Sequence, residues 1–367
     1  MKVIISGGGT GGHIYPALTI AAALEQLEPQ TQILFVGTKR GLESSIVPKA
    51  GYKIEYIEVE GFSRKLGVEL FKNLYMAVKG CMQAFALLRS YKPDLVIGTG
   101  GYVCGPIVLI AKLLGIKACI QEQNAKAGIT NRILSKVVDR VFLGYQEAAA
   151  QFGKSSKNIF TGNPVRASIF EPKKLAARSF FQLAEDKTTL LIYGGSRGAR
   201  SINNAALEFY KQIAEFPNLQ VMHITGEALF AEVKTAFDTM KISTEQVKLY
   251  PYMYDMDKAI NAADFAVSRA GAIAIAEFLA LGMPSILVPY PYATDNHQEL
   301  NARAVADADA GIMILDRDFS GQKLADAVKY LLSNEEILNN YAVNAKKIGN
   351  KNAATDIARI ALELAKG

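Results

Sequence analysis

The stretch "GGGTGGH", residues 7–13, directly follows the apolar run of residues 3–6. Gly7, Gly9 and Gly12 fit G-x-G-x-x-G. In such a turn the bare backbone lets a ligand come close, and the following helix aims its N–H groups and positive dipole end at it. The turn suits a phosphate, but two familiar uses fail. His13 follows Gly12 where a Walker A loop needs lysine. The second strand ends "FVGTKR", without the acid that holds a nicotinamide ribose. His13 itself stands at a helix start, where the dipole lowers an imidazole's pKa and favours the neutral form that a base requires. Capping the helix or bonding a backbone carbonyl is an equal reading of the same position.

Further polar turns follow strands. "GTGGYVCGP" (98–106) offers a second cradle, or a tight turn without a ligand. "QEQNAKAG" (121–128) brings Glu122 and Asn124, which could orient sugar hydroxyls or simply meet solvent. "YGGSRGAR" (193–200) repeats the strand–glycine–helix logic with Ser196. "SRAGAIAIAE" (268–277) sets Gly271 at a turn and Glu277 two turns into an apolar helix. A carboxylate there is costly unless it is paired or faces a cleft, so Glu277 reads as a ribose ligand or a satisfied structural acid. "DNHQELNA" (295–302) adds Asp295, His297 and Gln298.

These turns need a scaffold. Short β-rich runs alternate with longer helical patterns: "KVIIS", "QILFVG", "YKIEYIEV", "DLVIGTG", "IKACIQEQ" and "DRVFLGY". The pattern restarts at "TTLLIYGGSRGARSINNAAL" and continues through "LQVMHITG", "QVKLYPY", "DFAVSRAG" and "PSILVPY". Strands bounded by glycine and separated by helices predict α/β architecture: two Rossmann-like, doubly wound parallel sheets. The expected domains are 1–163 and 164–349, with a C-terminal helix over 350–367 crossing back onto the first. At 367 residues and half apolar, the chain can fill two cores.

Composition narrows the partners. Residues 1–165 hold 19 lysines and arginines against 11 acids, whereas the remainder holds 22 against 24. The basic half predicts an anionic partner, but no nucleic-acid motif accompanies it, so nucleic acid is not expected. Cys81, Cys104 and Cys119 form no C-x-x-C pair and read as buried thiols of a reducing compartment. His13, His223 and His297 are too far apart for H-x-x-x-H, so no metal site is expected. No signal peptide is read, and no apolar run reaches the roughly 20 residues of a spanning helix. Residues 64–92 are amphipathic. Lys65, Lys72 and Lys79 recur every seven residues beside an apolar face of Phe71, Leu74, Tyr75, Val78, Met82 and Phe85. That helix suits either a core or a membrane surface.

Taken in order, GGTGGH (8–13), GGY-x-x-GP (100–106), EQN (122–124), GNPVR (162–166), GGS-x-GAR (194–200), SRAGA (268–272) with Glu277, and D-x-x-Q (295–298) resemble the MurG family of bacterial cell-wall glycosyltransferases across essentially the whole chain. The resemblance implies a GT-B fold, two Rossmann-like domains with a cleft between them. It implies a metal-independent, inverting transfer of N-acetylglucosamine from UDP-GlcNAc to the C4 hydroxyl of N-acetylmuramic acid in undecaprenyl-linked lipid I, giving lipid II for peptidoglycan. UDP-GlcNAc is then a substrate, and no cofactor is expected. The implied place is the cytoplasmic face of the bacterial inner membrane, bound peripherally to its anionic inner leaflet.

The resemblance also implies roles. Thr10, Gly11 and Gly12 lie at the junction of donor and acceptor, and Gly9, Gly100, Gly101 and Tyr102 face the acceptor diphosphate. Asn124 and Gln298 contact the donor sugar, and Arg166 and Ser196 its diphosphate. Met253 lies where backbone groups read the uracil. Ala272, Ile273, Ala274, Ile275 and Ala276 supply helix N-terminal amides, and Glu277 binds the ribose. His13 is the first candidate for the base and Glu122 the second. Gln121, Cys104 and Arg197 depart from the family pattern, where histidine, serine, and glutamine or leucine are usual. Two other readings share a nucleotide-sugar site: a UDP-GlcNAc 2-epimerase, and a non-catalytic UDP-sugar-binding protein.

Overall fold

The structure is a computed structural model that describes residues 1–60, 68–195 and 197–367, the side chains of residues 68–74 and of Glu335 aside. Lys65, Lys72, Phe71, Leu74 and Ser196, all singled out above, therefore lie outside the described residues or side chains. The chain forms two compact units, Met1–Val165 with Lys351–Gly367, and Arg166–Asn350.

In unit 1 the strands are β1 (Lys2–Gly7), β2 (Gln32–Gly37), β3 (Lys53–Tyr56), β4 (Leu95–Gly100), β5 (Lys117–Glu122), β6 (Arg140–Leu143) and β7 (Asn158–Phe160). They form one sheet in the order β3-β2-β1-β4-β5-β6-β7, every pair parallel. Helices α1 (Gly11–Leu27), α2 (Glu43–Lys49), α3 (Val68–Tyr91), α4 (Cys104–Leu113) and α5 (Ile129–Leu134) connect them. The register between β1 and β4 slips between Ser6 and Gly7, where the glycine turn begins.

Alternation along β1 divides the core. Ile4 joins one cluster with Val36, Val96 and Ile107, whereas Val3 and Ile5 join the other with Ile14, Ile20 and Phe35. Side chains of a strand point to opposite faces, and both faces are covered, so the whole run is apolar.

In unit 2 the helices are α6 (Lys174–Phe180), α7 (Arg200–Tyr210), α8 (Glu227–Thr239), α9 (Met256–Ala262), α10 (Ala272–Leu281), α11 (His297–Asp307), α12 (Gly321–Leu332) and α13 (Glu335–Ile348). The strands β8 (Thr188–Tyr193), β9 (Leu219–Ile224), β10 (Val247–Tyr250), β11 (Phe265–Ser268), β12 (Ser285–Leu287) and β13 (Gly311–Met313) form a second parallel sheet, ordered β10-β9-β8-β11-β12-β13. Its glycine turn packs backbone against backbone. Gly198 has φ +73°, and a Cβ there would lie 2.0 Å from the Thr225 carbonyl oxygen. No other residue fits that contact.

The last helix, α14 (Ala353–Lys366), belongs to unit 1 although it follows unit 2 in the chain. Its residues Ala354, Ile357, Ala358, Ala361 and Leu362 lie in the same cluster as Ile14 and Leu24 of α1. The i, i+3, i+4 spacing of these residues makes one apolar stripe, and the sheet face needs a second helix to cover it. Of the cysteines, Cys104 and Cys119 are buried and Cys81 is half-buried.

Ile357 is fully buried. Ile357→Ala should destabilise unit 1 by about 2–5 kcal/mol, read as a lower urea midpoint. An unchanged midpoint would show that α14 is not part of that core.

Candidate functional site

Both sheets are parallel, so all strand C-termini of a unit share one edge, and the polar turns gather there. In unit 1 the turn after β1 leads into α1 with Thr10 as its N-cap, in extended conformation and without a side-chain cap bond. His13 occupies the third helical position. Its Nδ1 lies 2.9 Å from the Gly8 carbonyl oxygen and 3.4 Å from Thr10 Oγ1. A carbonyl can only accept, so Nδ1 donates, and the neutral ring carries its lone pair on Nε2.

The turn after β4 closes over the ring. Gly100 and Gly101 have φ of +104° and +80°. A Cβ on Gly100 would stand 2.8 Å from His13 Cδ2, and one on Gly101 would stand 2.5 Å from the Gly8 oxygen. The bare backbone of this turn thus packs against the His13 ring and the Gly8 carbonyl. Tyr102 reaches toward Gly9, its Cε1 standing 3.6 Å from where a Gly9 Cβ would be. The Thr99 hydroxyl donates to the His13 carbonyl at 2.9 Å, which ties α1 to the end of β4.

Glu122 ends β5 and is 2% exposed. Its Oε1 accepts from the Asn124 amide N–H at 3.0 Å. Its Oε2 accepts from the Gly128 N–H at 3.0 Å and from Asn131 Nδ2 at 2.9 Å. These bonds shape the 122–131 loop and aim Asn124. Beneath it, Gln121 Nε2 donates to Asn163 Oδ1 at 2.9 Å, and Asn163 Nδ2 donates to the Gln123 carbonyl at 2.8 Å. Gln121, unusual for the resemblance, thus joins a buried amide ladder linking β5 to the residues after β7. Cys104, also unusual, donates its thiol to the Gly101 carbonyl at 3.3 Å, and burial pushes that thiol up to about 12. The thiol therefore stays protonated near neutral pH. Arg197 sits exposed in its turn.

In unit 2, Arg166 Nε donates to Glu277 Oε1 at 2.9 Å. Glu277 is 8% exposed. The carboxylate lies on α10, whose N-cap Gly271 makes no side-chain cap bond and whose first turn holds no acid. The Ile275 amide already donates to the Gly271 carbonyl. That leaves Ala272, Ile273 and Ala274 as the amides that an α-helix start offers to an anion, while Ile275 and Ala276 lie inside the ladder. Gln298 Oε1 accepts from the Tyr290 N–H at 2.9 Å, which leaves its –NH2 as the donor. The residues before it, Asp295 and Asn296, both have positive φ, near +52° and +56°. Met253 is half-buried in the turn after β10.

Sequence reasoning gave Glu43 no role and did not find the partners of Arg269 and His223. Glu43, on α2, holds the glycine turn of unit 1 through Gly9. Arg269 donates to Asp316 Oδ1 and the Val288 carbonyl, and reaches Ser201 at 2.8 Å, binding the ends of β11 and β12 to α7. His223 is a core residue: it meets the Tyr210 hydroxyl at 3.0 Å and Asn203 Oδ1 at 3.1 Å, and burial lowers its pKa to about 3.

Residues 3–143 match the glycosyltransferase family 28 N-terminal domain, and residues 189–359 match its C-terminal domain. A UDP-N-acetylglucosamine--N-acetylmuramyl-(pentapeptide) pyrophosphoryl-undecaprenol N-acetylglucosamine transferase of Desulforamulus reducens is 47% identical over 362 residues, 98% of this chain and 97% of that one. The crystal structure of MurG from Acinetobacter baumannii has a TM-score of 0.80 at 29% identity, covering 99% of both chains. A UDP-GlcNAc 2-epimerase from Neisseria meningitidis, bound to UDP-GlcNAc, gives 0.71 at 15% identity over 99% of this chain and 100% of that one, a likeness of fold alone.

Burial raises the Glu277 carboxyl above its usual range, and the Arg166 guanidinium opposes part of that rise. A carboxyl raised on folding stabilises the folded state in acid, and that contribution is lost as pH climbs through the raised value. Arg166→Met removes the opposing charge. Its stability should therefore fall more steeply than the parent's between about pH 4 and 7. Urea midpoints across that window check this, and parallel curves would contradict it.

Proposed function

The chain belongs to the MurG glycosyltransferases of family 28, and from this we infer that it transfers N-acetylglucosamine from UDP-GlcNAc to the muramyl sugar of undecaprenyl-linked lipid I, forming lipid II. The acceptor C4 oxygen bonds to the anomeric carbon of the donor. The bond from that carbon to the UDP oxygen breaks, and UDP leaves with its electron pair. The hydroxyl proton passes to a base. A single displacement of this kind inverts the anomeric centre.

The observation that carries this reading, beyond family membership, is the state of His13. With Nδ1 donating to the Gly8 carbonyl, the neutral ring presents Nε2 as the proton acceptor. Glu122 is the weaker candidate, because both its oxygens already accept bonds that hold its own loop. Arg166, the α10 amides and Gln298 belong to unit 2, where the donor is expected. The leaving diphosphate is stabilised there by the guanidinium and the helix end. Glu277, held by Arg166, is placed to accept ribose hydroxyls. The transfer is read as running without a metal, as the resemblance to the family implies.

The acceptor is lipid-linked, so the enzyme works at a membrane surface, at the cytoplasmic face of the inner membrane. No helix among the described residues is long and apolar enough to cross one. Support comes from α3, on which Tyr75, Val78, Met82 and Phe85 are 49–68% exposed rather than packed in a core. Lys79 on the same helix is engaged by Glu58 at 2.8 Å. Its charge is therefore largely balanced, and the apolar side chains carry the contact.

Incubation with labelled UDP-GlcNAc and a short-chain lipid I analogue should yield UDP and the disaccharide. His13→Ala should cut kcat roughly 10²–10⁴-fold with little change in KM for UDP-GlcNAc; near-normal turnover would remove His13 as the base. Replacing Met82 and Phe85 by glutamate should weaken binding to anionic vesicles by about tenfold or more. Equal sedimentation of both proteins with vesicles would count against the α3 contact.

A further inference from the structure

The glycine turn of unit 1 rests on a buried carboxylate that the transfer chemistry above does not employ. Glu43 is 1% exposed. Its Oε1 accepts from the Thr38 N–H at 2.9 Å and from the Thr38 hydroxyl at 2.8 Å. Its Oε2 accepts from the Gly9 N–H at 2.9 Å. A Cβ on Gly8 would stand 2.5 Å from one carboxylate oxygen, and a Cβ on Gly41 would stand 2.1 Å from the other. The missing side chains at those positions are what admit the carboxylate.

The Gly9 N–H and the Gly8 carbonyl are the two ends of one peptide group. Glu43 engages the N–H end at 2.9 Å, and His13 Nδ1 engages the oxygen end at 2.9 Å. Hydrogen bonds in series polarise one another. The carboxylate draws on the amide proton and shifts electron density toward the carbonyl oxygen, which becomes a stronger acceptor for Nδ1–H. A negative charge behind that bond favours the imidazolium and raises the basicity of Nε2. The N-terminal end of α1 acts in the opposite sense. The logic matches a carboxylate that orients a histidine by its far nitrogen, with one amide inserted between them.

We propose that Glu43 is the positioning residue of His13, acting through the Gly8–Gly9 peptide to hold the Nδ1–H tautomer and to raise the basicity of Nε2. Its catalytic consequence rests on His13 being the base. Other titratable groups around the turn are Tyr15 on α1, Tyr102 and Cys104 after β4, and Glu122 behind Cys104.

The test reads His13 directly. The chain has three histidines, so the His13 ring resonance is assigned by its loss in His13→Ala, and its titration is followed by NMR on the full chain without substrate. Glu43→Gln should lower the His13 pKa by about 0.5–1 unit, less than the 1–3 units of a direct contact. At a pH above both midpoints, where the ring is neutral in each protein, kcat should drop about 2–3-fold because Nε2 is the weaker base, with KM for UDP-GlcNAc unchanged. An unmoved or raised His13 titration overturns the relay. A lowered titration with unchanged kcat keeps the relay and instead counts against His13 as the base. If Glu43→Gln does not fold, Thr38→Val takes its place. That variant removes a competing donor, concentrates charge on the Gly9 bond and should raise the His13 pKa; no shift, or a downward one, overturns the proposal.

Discussion

One peptide group, between Gly8 and Gly9, carries the arrangement of the unit 1 site. Its oxygen receives His13 and its nitrogen faces Glu43. Neither contact tolerates a side chain nearby, so the glycines at 8, 41, 100 and 101 follow from it. The ring is held from below by a carbonyl and covered by bare backbone. Its tautomer is thereby set before any substrate arrives, which is the preorganisation that proton transfer rewards.

Three buried carboxylates show how setting decides role. Among the described residues, Glu43 and Glu122 accept only from neutral donors, amide N–H groups and a hydroxyl or side-chain amide. Each fixes a loop. Glu277 alone of the three has a guanidinium partner, and that partner is itself 42% exposed at its side chain. A buried charge needs its bonds satisfied, and breaking a pair leaves the remaining charge costly. Arg166 can exchange Glu277 for a phosphate only if something else satisfies the carboxylate. Any ligand that draws Arg166 away must therefore bring its own donors to the carboxylate.

The scaffold makes these turns converge. Parallel strands bring their C-terminal ends to one edge, and each following helix begins there with unpaired amides. Unit 1 is closed only when α14 returns from the far end of the chain to cover Val3, Ile5 and their neighbours. Its first glycine turn therefore stands on a core completed after the whole of unit 2 has been traversed.

The architecture was legible because its signals are local. Strand, glycine turn and apolar helix repeat within some 20 residues, and the two series predicted two parallel sheets of Rossmann type. The helix start at His13, the bare Gly271 cap and the apolar stripe of 353–362 are readable for the same reason: period and punctuation act between neighbours in sequence. Pairings across the fold are different. Glu43 meets Gly9 across 34 residues, Arg166 meets Glu277 across 111, and neither spacing has a period to betray it. Sequence left His13 evenly divided between base and carbonyl-bonded residue; the tertiary structure shows the carbonyl bond, and that bond fixes the tautomer of the neutral ring. It left Glu122 open as a base, and the tertiary structure shows both its oxygens accepting bonds from its own loop. The residue types decided which chemistry was available, while the meeting of turns at one sheet edge decided which side chains bond to one another, because hydrogen-bond partners are set by proximity in space.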